Sequence, residues 1–194
     1  MMMVTECHPF EPYIPDNAKI LMLGTFPPKP DKWSMDFYYP NWINDMWRIM
    51  GLIFYGDANH FVIAGKKQFD IAHIKKFLNN AGIALYDTGV KIHRQKDNAS
   101  DKYLDIIVHI DLYNILKSNM SISSVVTTGE KAASIISEIT MSRLPKMGEK
   151  VDFQFENKIY SHFRMPSSSR AYPMTLTKKS EFYATMFKIN DIHL

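Results

Sequence analysis

Hydrophobic residues follow two rhythms along this chain. Short unbroken apolar runs alternate with stretches where apolar positions return every three or four residues. The first rhythm marks strands buried on both faces, and the second marks amphipathic helices. Residues 18–24 (Ala-Lys-Ile-Leu-Met-Leu-Gly) predict a central strand. Residues 81–86 and the β-branched run 122–128 predict two more. Helical periodicity predicts helices over 41–54 (Ile43, Trp47, Met50, Phe54), 67–79 (Phe69, Ile71, Ile74, Phe77, Leu78), 101–116, 130–139 and 178–188. Residues 151–155 and 158–163 read as two strands hinged at Glu156-Asn157. Pro9, Pro12 and Pro15 make residues 7–17 an extended stretch, because proline suits neither a helix interior nor a central strand. Strands separated by helices predict a parallel sheet covered on both faces. No repeat, low-complexity tract or flexible linker divides the chain. A single domain over 1–194 is expected, with 1–17 as its lead-in.

In such sheets ligands bind where strands end. Four loops therefore carry the candidate chemistry: 25–39, 87–100, 127–131 and 165–172. In the first, Gly24-Thr25-Phe26-Pro27 can aim backbone N–H groups at an anion or a base, although it has neither Walker nor dinucleotide spacing. Phe37, Tyr38 and Tyr39 can stack on a nucleobase, or simply fill the core. Asn41 and Asn44 can donate and accept, which suits a base edge or a water; Asn41 can equally cap a helix. Asp87 ends a buried strand and can read a ligand donor or cap the next turn. Lys91, His93, Arg94 and Lys96 form a basic cluster beyond it. The stretch Met165-Pro166-Ser167-Ser168-Ser169-Arg170-Ala171-Tyr172 offers hydroxyls, N–H groups and one cation to a phosphate. The seven histidines include no pair at zinc spacing, and there is no Gly-x-Ser-x-Gly elbow.

Composition narrows the classes. The chain has 194 residues, 46% of them hydrophobic and 22% charged, which suits a compact domain. A single cysteine, Cys7, excludes a disulfide framework and any cluster held by this chain's own cysteines. It points to a reducing, cytoplasmic setting. The longest run free of Asp, Glu, Lys and Arg is 12 residues, too short for a membrane span, and no signal peptide is visible. The net charge of +3 permits an anionic partner without requiring one.

Taken in order, the motifs resemble those of the uracil-DNA glycosylase superfamily, nearest to its hypoxanthine/uracil (mismatch-specific-like) branch. The Gly-Ser-x-Pro turn of that branch is similar to Gly24-Thr25-Phe26-Pro27. Tyr38, Tyr39, Asn44 and Trp47 match its Tyr-Tyr-x-x-x-x-Asn-x-x-Trp spacing. Gly82-Ile83-Ala84-Leu85-Tyr86-Asp87, Thr128-Gly129-Glu130-Lys131-Ala132 and Met165-Pro166-Ser167-Ser168-Ser169-Arg170-Ala171 match three later motifs. The chain departs from the family pattern at Thr25, Phe26, Asn41, Thr128 and Met165. The resemblance implies a three-layer α/β/α sandwich with a central, mostly parallel four-stranded sheet. It also implies a cofactor-free and metal-free DNA glycosylase, monomeric by default, acting on double-stranded DNA that contains a damaged base. In that reading Asn44, then Asn41, positions the attacking water. Gly24, Thr25, Phe26, Pro27, Phe37, Tyr38, Tyr39, Asp87 and Thr128 hold the flipped base. Pro166, Ser167, Ser168, Ser169, Arg170, Tyr172 and Lys131 meet the DNA. Lys91, Arg94, Lys131, Arg164 and Arg170 are expected around the same face. The departures keep an alternative open: a non-catalytic protein of this fold that binds nucleic acid or a free nucleobase.

Overall fold

The computed structural model describes residues 4–95 and 101–193. In chain order the elements are β1 (Thr5–Cys7), β2 (Ile20–Gly24), α1 (Met46–Tyr55), α2 (Ile71–Ala81), β3 (Ile83–Asp87), β4 (Gly89–Arg94) and β5 (Leu104–His109). Then come α3 (Leu112–Ser118), β6 (Ser124–Thr128), α4 (Glu130–Thr140), β7 (Lys150–Phe155), β8 (Lys158–Met165) and α5 (Leu176–Ile189). The principal sheet runs β3-β2-β6-β8-β7. Pairs β3·β2, β2·β6 and β6·β8 are parallel, and β7 joins β8 antiparallel. The sheet therefore has five strands, not four. The extra one is the first arm of the hairpin at Glu156-Asn157, where Glu156 takes a positive φ of 51°. Every residue of β2, β3 and β6 is buried, which is why those segments read as continuous apolar runs.

From β2 the chain crosses to β3 on one side; from β6 it crosses to β8 on the other. Right-handed crossovers in opposite directions set α1 and α2 on one face and α4 on the other. Between β2 and β6 the sheet thus has a switch point, opening at their carboxyl ends. Among the described residues no helix is long and apolar enough to cross a membrane.

Three local expectations need correction. Residues 101–116 do not form one helix: a 3-10 turn leads into β5, and α3 follows. Ile106 and Val108 are β-branched and pair with β4, and tertiary pairing outweighs a weak helical rhythm. Helix α1 starts at Met46 rather than residue 41. The Asn41 and Asn44 side-chain oxygens accept from the Ile43 and Met46 N–H groups, turns that compete with helix. The N-terminal lead-in is partly a strand: β1, β4 and β5 form a second, antiparallel sheet. Lys96 of the basic cluster lies outside the described residues.

Candidate functional site

A cavity of about 520 Å³ opens at the switch point. Its walls come from segments far apart in sequence. Gly24 ends β2 and Thr25, Phe26 and Pro27 follow it; Asp87 ends β3 and Thr128 ends β6. Tyr39, Asn41 and Asn44 precede α1, and Ser167, Ser168, Ser169 and Tyr172 follow β8.

The first turn is pinned by its neighbours. The Thr88 N–H donates to the Gly24 carbonyl (2.9 Å) and the Gly89 N–H to the Thr25 carbonyl (2.9 Å). Glycine is required at position 24 by space: a Cβ there would lie 2.5 Å from Asp87 Oδ1 and 3.7 Å from the Tyr39 hydroxyl. The Thr25 hydroxyl donates to Asp101 Oδ2 (2.9 Å), which brings in a second carboxylate that no motif indicated.

Of the four aromatics expected to hold a base, Phe26 and Tyr39 line the cavity, and Phe37 and Tyr38 do not. Phe37 and Tyr38 are core residues, 5% and 2% exposed, packed on Tyr13, Trp47 and Phe10. Tyr39 takes a positive φ of 52°, a backbone state costing about 1 kcal/mol or more in a non-glycine residue. That twist separates its ring from Tyr38 and sets its hydroxyl 3.3 Å from Thr128 Oγ1. Phe26 and Tyr172 add further aromatic surface to the cavity.

The two asparagines stand on a braced loop. Buried Arg48 donates to the Trp42 and Asn44 carbonyls (3.0 and 3.1 Å) and lies over the Trp42 ring. Because the Met46 N–H must meet an acceptor, Asn44 Oδ1 is fixed, and the amide has one orientation.

The serine loop is clamped from beneath. Buried Asp45 binds the Lys179 ammonium (3.0 Å) and the Arg170 guanidinium (3.1 Å). Lys179 also donates to the Ser169 carbonyl (2.7 Å), and the Asp45 N–H to that of Ser168 (2.8 Å). Ser167 Oγ and Ser169 Oγ accept from the N–H groups of Ser169 and Ala171, so the loop is a pair of local turns. Pro166 is buried behind it, its carbonyl accepting from the Tyr183 hydroxyl (2.9 Å).

The expected basic rim is largely engaged within the protein. Arg94 pairs with Glu6 and donates to the Pro27 carbonyl, and Arg164 pairs with Glu130. Lys131 donates to the Asp101 and Leu104 carbonyls. Neither Lys131 nor Arg170 lines the cavity.

The cavity's polar floor is acidic. Burial pushes the Asp87 carboxyl upward, opposed by His8 and the Gly24 backbone. Burial also raises Asp101, with Asp87 adding to it and Thr25, Lys131 and Arg94 opposing. His8, from the end of β1, was hidden by its place in a proline-rich segment. The only cue was a lone imidazole between Cys7 and Pro9, which by itself indicates nothing.

No family model and no curated protein matches this sequence. Among solved structures, the chain is similar to an NMR structure from Methanosarcina acetivorans, a protein provisionally assigned as a uracil DNA glycosylase. The TM-score is 0.63 at 18% identity, over 97% of this chain and 99% of that one. The chain has a uracil-DNA glycosylase-like α/β fold.

Proposed function

We propose that this protein is a monofunctional DNA glycosylase that hydrolyses the N-glycosidic bond of uracil or hypoxanthine in double-stranded DNA. One observation carries the reading: five sequence motifs, scattered from Gly24 to Tyr172, converge on a single cavity at the sheet's switch point. A base inside a duplex cannot reach such a cavity, so it must first be flipped out. Tyr39 and Phe26 hold its faces; Asp87, Thr128 and the backbone at Phe26 and Pro27 read its edge. Asn44, with Asn41 second, orients water. An amide is a poor base, so its contribution is orientation. Ser167, Ser168 and Ser169 grip flanking phosphates. Tyr172 or Arg170 fills the gap left in the stack. The chemistry needs no metal or cofactor, and a monomer in the cytoplasm suffices.

A second reading is a protein that binds a nucleobase or nucleic acid without cleaving. It is favoured by the engagement of both asparagine Oδ1 atoms with backbone N–H groups, which leaves one lone pair on each for water. Labelled duplexes carrying uracil, hypoxanthine or a G:T mismatch, followed by alkali, decide between them. Strand scission at the lesion is expected; binding without scission on any duplex selects the second reading.

A further inference from the structure

The N-terminal strand delivers His8 to Asp87, which lines the cavity. Its Nε2 lies 2.9 Å from Asp87 Oδ2, with the two side chains 2% and 9% exposed. Its Nδ1 lies 2.8 Å from the Phe10 carbonyl and 3.2 Å from the Phe10 N–H. The rings of Tyr86 and Phe26, at 4.9 and 5.3 Å between centroids, enclose the imidazole. The His8 N–H donates to the Val90 carbonyl (2.8 Å), so the second sheet sets its position.

A carboxylate oxygen only accepts, so Nε2 carries the hydrogen of the contact with Oδ2. The Phe10 N–H meets Nδ1 on the other side of the ring, which suits that tautomer. With Oδ2 held by His8, Oδ1 is the oxygen turned toward the first turn. It abuts Gly24, beside the Tyr39 hydroxyl.

We propose that His8 is a positioning residue: by donating from Nε2 to Oδ2 it presents Asp87 Oδ1 to the cavity as a fixed acceptor, selecting bases with a ring N–H. Uracil carries such a donor at N3 and hypoxanthine at N1, whereas 3-methyluracil lacks it. Base selection rests on the glycosylase reading; the hydrogen bond between His8 and Asp87 does not. Asp101, Tyr38, Tyr39 and Tyr86 face the same carboxyl, with Glu11 and Arg94 beyond them. His8 is the side chain that holds Oδ2.

Two measurements on the full chain test this. The first is the nitrogen spectrum of 15N-labelled imidazole between pH 6 and 8. A hydrogen-bonded hydrogen on Nε2 is expected for His8, its signal shifting in Asp87→Asn. A neutral ring protonated only at Nδ1 overturns the proposal. The second is equilibrium binding of free uracil and 3-methyluracil. The wild type is expected to prefer uracil about tenfold or more, since a buried acceptor left unpaired is costly. His8→Leu should reduce that preference to under about twofold, and His8→Gln, which still donates to Oδ2, should retain most of it. A His8→Leu protein as selective as the wild type overturns the proposal. If the wild type binds neither base, the base-binding reading falls and the imidazole spectrum alone decides the hydrogen bond between His8 and Asp87. If His8→Leu fails to fold, the spectrum and Asp87→Asn carry the test.

Discussion

Lys179 Nζ donates to Asp45 Oδ2 across 3.0 Å from a side chain with no solvent exposure. The same ammonium holds the Ser169 carbonyl, so one buried cation joins α5, the start of α1 and the serine loop. Removing one partner of a buried pair strands the other charge, at about 3–5 kcal/mol. Asp45→Ala should therefore lower unfolding stability by about that amount. Arg170→Ala removes the exposed arm of the same cluster and should cost no more than about 1 kcal/mol. Urea titration of the two variants compares them; equal losses would mean that Lys179 is not the controlling partner.

Asn44→Ala should slow base release by about 100-fold or more while leaving duplex affinity nearly unchanged, because misplaced water costs rate and not binding. The variant also removes the acceptor for the Met46 N–H, a capping loss of about 1 kcal/mol. Asn44→Asp keeps that acceptor. Single-turnover kinetics of both variants beside their melting curves separates the two effects. Activity persisting in both would assign water positioning elsewhere, with Asn41 next.

Gly24→Ala would place a methyl 2.5 Å from Asp87 Oδ1, so the carboxyl must move. Backbone strain is not the cause. Base release should fall about tenfold or more, as expected when a 1 Å displacement reaches reacting groups. Cleavage assays on a uracil duplex at saturating enzyme report the loss, and circular dichroism should show an unchanged fold.

His162 is fully buried, and burial lowers its pKa to about 4 from 6.5. A base with a depressed folded-state pKa favours folding above its unfolded pKa; that contribution fades as pH falls from 6.5 toward 4. At about 1.4 kcal/mol per unit, the loss reaches about 3 kcal/mol. Asp87 and Asp101 run the other way, since their raised values favour the folded state at low pH and lose that contribution as pH rises. The comparison is therefore between the wild type and His162→Leu. The variant should lose less stability between pH 7 and pH 4.5, measured by thermal unfolding. In the variant the Thr127 hydroxyl keeps its bond to the Phe163 carbonyl. Parallel curves would assign the acid sensitivity elsewhere.

The parallel part of the sheet was legible because both of its faces are buried: Ile20 to Leu23 and Ile83 to Leu85 show no exposure at all. Motif spacing likewise led to Gly24, Tyr39, Asn44, Asp87 and the serine loop. The second sheet was not legible. Its strands β4 and β5 mix buried and exposed positions and pair across a segment that includes residues 96–100. Phe37 and Tyr38 were read as pocket residues because a motif records spacing and not side-chain direction; one left-handed residue, Tyr39, sends its neighbours the other way. His8 and Asp101 were missed because each finds its partner, Asp87 or Thr25, through pairing that only the folded chain creates.

The contact between His8 and Asp87 joins residues 79 positions apart. On the ribosome the segment bearing His8 emerges before β3 and β4 and waits for them, its carboxylate partner not yet made. Contacts of such long separation form late, after loop-closure entropy has been overcome. The sheet core can thus assemble while the cavity floor is still open, and the protein acquires its fold before it acquires its site.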